Sequence, residues 1–130
     1  MKQPKERAYP QPYLIRPRIY LSPDLIVGPG KIDLLKAVRD TGSISAAARK
    51  IGMNYKRAWY LLDTLNKGFH QPVVEAAPGG RGGGGARITS LGETLITSYT
   101  AIEAACAAAA DAQLAALCAL TKLPGAPEQP

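Results

Sequence analysis

The chain has 130 residues, with 16 Lys and Arg against 10 Asp and Glu, a formal charge of +6. That length suits one domain with extensions, and the charge favours a polyanionic partner over an acidic or neutral one. One histidine and two cysteines offer no zinc-ligand spacing and no nucleophile–base pair, so neither a metal centre nor an enzyme is expected, and no cofactor.

Residues 1–15 contain charges and Pro4, Pro10 and Pro12 without an apolar run. They read as a flexible arm and not as an export signal. Residues 16–21, RPRIYL, resemble a short edge strand with Pro17 near its start. Pro29 suits the first turn of a helix running to about Asp40, with Ile32, Leu35 and Val38 on an apolar stripe and Thr41-Gly42 at its end. Ser43 is a good N-cap for a second helix, whose Ile44, Ala47, Ala48 and Ile51 recur three and four apart and share a face. Gly52 stands where a helix-stopping residue belongs. Asn54 caps a third helix, with Ala58, Leu62 and Leu65 inward and Tyr55, Lys56, Arg57 and Tyr60 on the opposite face. A short capped helix, a glycine turn and a basic, aromatic second helix is the sequence form of a helix-turn-helix.

Gln71-Pro72 breaks the chain. Residues 73–76 read as a strand, 78–86 are PGGRGGGGA, and 87–89 read as a second strand. Two strands joined by a glycine-rich loop after a helix-turn-helix describe a wing. Glycines let such a loop approach a phosphate closely, although no Gly-Lys-Ser/Thr follows and a nucleotide P-loop is excluded. Thr89 or Ser90 then caps a long helix over 91–120, roughly 45 Å, with Leu95, Tyr99, Ile102, Cys106, Ala109 and Leu117 on a three-four seam. A small domain cannot cover that length, so part of the seam needs a partner. Cys106 and Cys118 lie roughly 18 Å apart on this helix, too far for a bond within it, and read as reduced residues of a cytoplasmic protein. Asp111 and Gln113 interrupt the alanine-rich stretch, which argues against a membrane span. Prolines 124, 127 and 130 mark a disordered tail.

Charge follows this division. Residues 42–90 carry seven Lys and Arg against Asp63 and Glu75, whereas 91–130 carry Lys122 against four acids. The positive charge therefore sits on the helix-turn-helix and wing. Each signal also has a plain alternative. The helix pair suits an ordinary all-α hairpin, the glycine run a linker, Trp59 a packing role, and His70 an ordinary surface position.

The strings GPGKIDLLKAV (28–38), TGSISAAARKIGMNYKRAWYLLDTLN (41–66) and GGRGGGGARITSLGETLI (79–96) resemble the N-terminal DNA-binding domain of the ModE-type, molybdate-responsive transcription regulators, which is related to the LysR-type winged helix. The resemblance covers roughly residues 16–105. It implies a homodimer on palindromic DNA, with contacts from the helix near residues 54–60 and from the wing near Arg81. The family's oxyanion-sensing domain has no counterpart here, so molybdate binding is not expected.

The resulting expectation is a mainly α fold with a small β wing: a winged helix-turn-helix at 16–90, a dimerisation helix at 91–123 and a tail at 124–130. Lys56 and Arg57 would meet phosphates or guanines, and Tyr55 and Tyr60 the backbone or bases. Arg81 would reach the minor groove or adjacent backbone. Ser43 and Asn54 would cap helices whose N-termini face phosphates. The partners expected are double-stranded DNA and a second copy of the chain, with no membrane. The alternatives are a helical dimerisation adaptor of a larger regulator and an RNA-binding protein.

Overall fold

The computed structural model describes residues 14–78 and 84–122. The arm up to residue 13, the wing tip with Arg81, and the tail lie outside the described residues. Two units are distinguished, residues 16–101 and a smaller one whose described part is 14–15 and 102–122.

The first unit opens with a β-hairpin, β1 (Ile19–Ser22) and β2 (Leu25–Val27), paired antiparallel with a register irregularity between Tyr20 and Ser22. The expected strand is thus one half of a hairpin. The turn Ser22-Pro23-Asp24 is the sequence signal for its second half. Three helices follow: α1 (Pro29–Thr41), α2 (Ile44–Ile51) and α3 (Tyr55–Gly68). Pro29 takes the first helical position of α1, where its missing N–H costs nothing. Gly42 and Gly52 end α1 and α2 with φ of 72° and 73°, the left-handed conformation that glycine adopts without a Cβ penalty. Ser43 Oγ accepts from the Ala46 N–H at 3.1 Å, and Asn54 Oδ1 from the Arg57 N–H at 2.8 Å. Both caps satisfy a donor that the helix itself leaves unpaired.

Ile32, Leu35 and Val38 of α1, Ala47 and Ala48 of α2, and Ala58, Leu62 and Leu65 of α3 are buried together. Alanines on α2 allow α1 and α3 to close over it. The wing strands β3 (Val74–Ala77) and β4 (Gly85–Ile88) pair antiparallel, with Val74 opposite Ile88 and Ala77 opposite Gly85. β4 is anchored on its other edge too: Ser43 bridges Gly85, and the Ala86 N–H donates to Gly42 O at 2.9 Å. A single bridging residue in the α1–α2 turn thus lies alongside β4 as a third position of the wing sheet.

Thr89 is the residue that caps α4 (Ser90–Ala109): its Oγ1 accepts from the Gly92 N–H at 3.1 Å and donates to Pro72 O at 2.8 Å. Gly92 is required by space. A Cβ there would stand 2.5 Å from Val73 O, so α4 starts as close to the wing as backbone allows. Ile96 and Tyr99 of α4 enter the core, and the Tyr99 hydroxyl donates to Pro17 O at 2.6 Å.

In the second unit, the expected single helix over 91–120 is broken. α4 ends at Ala109, Ala110 leaves helical geometry (φ −103°, ψ 13°), and α5 (Asp111–Ala119) starts at an angle of 67°. Asp111 stands in the first turn of α5, where a carboxylate is favoured by the helix dipole. The alanine run before it carries no large side chain to hold the axis straight. No single helix among the described residues is long and apolar enough to cross a membrane.

Candidate nucleic-acid interface

The outer face of α3 is built from the bottom up by its own amphipathicity. With Ala58, Leu61, Leu62 and Leu65 fixed inward, the 3.6-residue period turns Tyr55, Lys56, Arg57, Trp59 and Tyr60 away from the core. All five are exposed; Trp59 keeps 51% and Tyr60 59% of its surface. Large aromatic side chains are rarely left in water without a partner to meet. Trp59, balanced in the sequence between packing and contact, lines a cleft of about 260 Å³ between α3 and the wing, beside Asp63 and Glu75.

Ion pairing sorts the cations of this region. Lys50 pairs with Asp40 at 3.3 Å, Lys67 with Asp63 at 2.9 Å and Arg87 with Glu75 at 3.1 Å. The hydrogen bond that Lys67 donates to Asp63, and then the Asp63 charge, raise the Lys67 pKa above its ordinary value. Arg49 donates to Ser45 Oγ at 3.0 Å. Among the described residues, Lys56 and Arg57 join no ion pair. Within residues 42–90, the described cations outside any ion pair are thus Arg49 on α2 and Lys56 and Arg57 in the first turn of α3, the last two next to three exposed aromatic rings.

Other expected contact residues fall elsewhere. Ser43 is fully buried, its hydroxyl engaged in the α2 cap under β4. It shapes the turn, and its side chain offers nothing to an outside ligand. Asn54 is exposed and caps α3. Arg81 lies outside the described residues. Of the expected dimer seam, Tyr99 is 1% exposed and belongs to the core, with Leu95 packed against it. The three-four spacing was there, but it serves the domain's own interior. Ile102 is exposed and Ala109 too, Cys106 is half-buried, and Leu117 and Leu120 keep 62% and 77% of their surface. Among the described residues, Cys106 and Cys118 form no disulfide.

Asn66 is the functional position that sequence reasoning missed. Its Oδ1 accepts from the N–H groups of Val73 and Val74 at 2.8 and 3.2 Å, and its Nδ2 donates to Val74 O at 3.0 Å. One carboxamide near the end of α3 thereby fastens the wing's first strand to the helix. The only sequence signal is an amide six residues before a proline.

No family model matches the chain. It is 45% identical over 75 residues to the transcriptional regulator ModE of Yersinia pestis, covering 58% of this chain and 28% of that protein. It is 42% identical over 79 residues to the DNA-binding transcriptional dual regulator ModE of Escherichia coli K12, covering 61% and 30%. The chain carries a ModE-like N-terminal domain. The ModE-like domain is also 51% identical over 79 residues to the molybdenum-pterin-binding protein MopA of Rhodobacter capsulatus, again covering 61% of this chain and 30% of that protein. The chain spans about 30% of the length of these relatives.

Proposed function

We propose that this chain is a sequence-specific, double-stranded-DNA-binding transcriptional regulator that acts as a homodimer on a palindromic site. The observation that carries this reading is the outer face of α3, where Lys56 and Arg57, neither in an ion pair among the described residues, stand among Tyr55, Trp59 and Tyr60. A helix that follows a tight turn and presents cations and rings outward is shaped for the major groove, where Arg and Lys read guanine edges or meet phosphates. Asn54 sets the N-terminus of that helix, and Arg81 at the wing adds a contact to the adjacent backbone or minor groove.

The names of the regulators support DNA as partner. MopA is named for molybdenum pterin, but its match to this chain has the same length and coverage as that of the Escherichia coli regulator, 79 residues and 61% of the chain. DNA binding is proposed for the ModE-like domain. Homodimerisation rests on the exposed Ile102, Leu117 and Leu120 beyond the first unit. The test is selection of bound sequences from a random DNA pool with purified protein. Enrichment of a palindrome, bound with steep salt dependence, is the expected result. No enrichment, or preference for single-stranded RNA, overturns the reading.

A further inference from the structure

A second cationic surface lies beside the α3 face. A cleft of about 340 Å³ is formed where the β1–β2 hairpin and the start of α1 meet the outer side of α3, and Arg18, Lys31, Arg57 and Tyr60 line it. Three separate elements thus contribute three cations. Asp24, at the hairpin turn, is the one carboxylate on its wall. Among the described residues, no ion pair joins Arg18, Lys31 or Arg57 to a carboxylate. Lys31 and Arg18 are held by neutral groups instead. Lys31 Nζ donates to Ile26 O at 2.6 Å, and Arg18 Nε donates to the Tyr20 hydroxyl at 3.1 Å, with its guanidinium 5.6 Å from the Tyr20 ring centre. These contacts fix the side chains in place without neutralising them.

Resting on the proposed function, we infer that this cleft seats a backbone phosphate of the DNA duplex, flanking the groove that α3 enters. Three like charges converging on one concave surface repel one another unless an anion lies between them. Burial first, and then the neighbouring Arg18, push the Lys31 ammonium below its ordinary pKa; only the second cause reflects the convergence of like charges. A phosphate reverses the second cause. Continuity favours the duplex over a free anion: Arg57 and Tyr60 belong both to the cleft and to the outer face of α3. A helix in the major groove has a phosphate strand along each wall, and contacts to it set register without reading bases.

The test uses the full chain and the selected duplex, with Arg18→Gln, Lys31→Met and the double variant, each checked for an unchanged melting transition. Affinity is followed by fluorescence anisotropy between 50 and 200 mM salt, a range over which phosphate contacts dominate the change. Each lost contact should lower the slope of log affinity against log salt by about 0.9, with the preferred sequence unchanged. A parallel scan replaces single phosphates by neutral methylphosphonates. The wild-type should lose affinity at one flanking position, where the double variant should be insensitive. If Lys31→Met fails to fold, Arg18→Gln alone carries both measurements. Unaltered slopes in variants that fold, while Lys56→Ala still weakens binding, overturn this inference and leave the proposed function standing. A wild-type protein that prefers no duplex removes both. Micromolar, saturable binding of inorganic phosphate without DNA, lost in Arg18→Gln, would make the cleft a free-anion site and overturn the duplex assignment.

Discussion

Lys56 and Arg57 matter because no carboxylate among the described residues claims them. Replacing either by Ala should leave stability within about 0.5 kcal/mol, as at other surface positions without special partners, because the α3 cap uses the Arg57 backbone N–H and not its side chain. DNA affinity should fall all the same. A lost phosphate contact lowers the salt slope by about one, and a lost bidentate base contact costs roughly 1–3 kcal/mol and relaxes specificity. Anisotropy titrations on the selected duplex and a scrambled one separate the two cases; unchanged affinity in both variants would falsify the role given to α3. The outward placement of these side chains was legible in the sequence, since Ala58, Leu62 and Leu65 fix the helix phase. The burial of Ser43 was not, because it depends on Gly85, a bridge partner far along the chain. Tyr99 is a similar case. Its spacing fits a dimer seam and a domain core equally, and only the arrival of the Pro17 carbonyl, 82 residues away, decides. Tyr99→Phe should therefore destabilise the isolated fold by about 1 kcal/mol, the usual loss for one hydrogen bond. Urea denaturation checks this, and an unchanged midpoint would show the hydroxyl to be idle.

Elements were easier to read where the period or a cap carries them. All three helices of the helix-turn-helix region were expected, with Ser43, Asn54, Gly42 and Gly52 at their ends, and both wing strands were found with shifted bounds. β2 was missed because three residues are too few for an alternating pattern. The break at Ala110 was missed because no glycine or proline marks it. The joint between α3 and the wing was also hidden, since it is made by a side chain to distant backbone. Asn66→Ala removes three hydrogen bonds there and takes away the acceptor of the Val73 and Val74 N–H groups. It should cost about 1–3 kcal/mol, the penalty for buried groups left unsatisfied. Hydrogen exchange gives the more specific readout. The amides of Val73 and Val74 should exchange faster while the amides of α1 keep their protection; uniform loss of protection would mean that Asn66 holds the whole fold and not the wing in particular.

At the level of the whole molecule, the C-terminal region changes role along its length. Up to Tyr99, α4 belongs to the core of residues 16–101, whereas Ile102 of α4, Leu117 of α5 and Leu120 just after it are exposed. A cut at Ile96 would remove Tyr99 and open that core. A cut after Ala101 should leave a folded monomer, while the full chain should sediment as a dimer at micromolar concentration. Analytical ultracentrifugation of both decides it, and a full chain that stays monomeric would remove the homodimer from the proposed function. The Asn66 carboxamide carries a further consequence for the DNA. It bolts the base of the wing to α3, and Gly92 lets α4 approach the neighbouring Val73. On the proposed reading, helix and wing would then meet the duplex at a set spacing, and the duplex would do more of the adjusting. Base steps that neither element touches should then influence affinity through their stiffness, with pliant pyrimidine–purine steps favoured between the two points of contact.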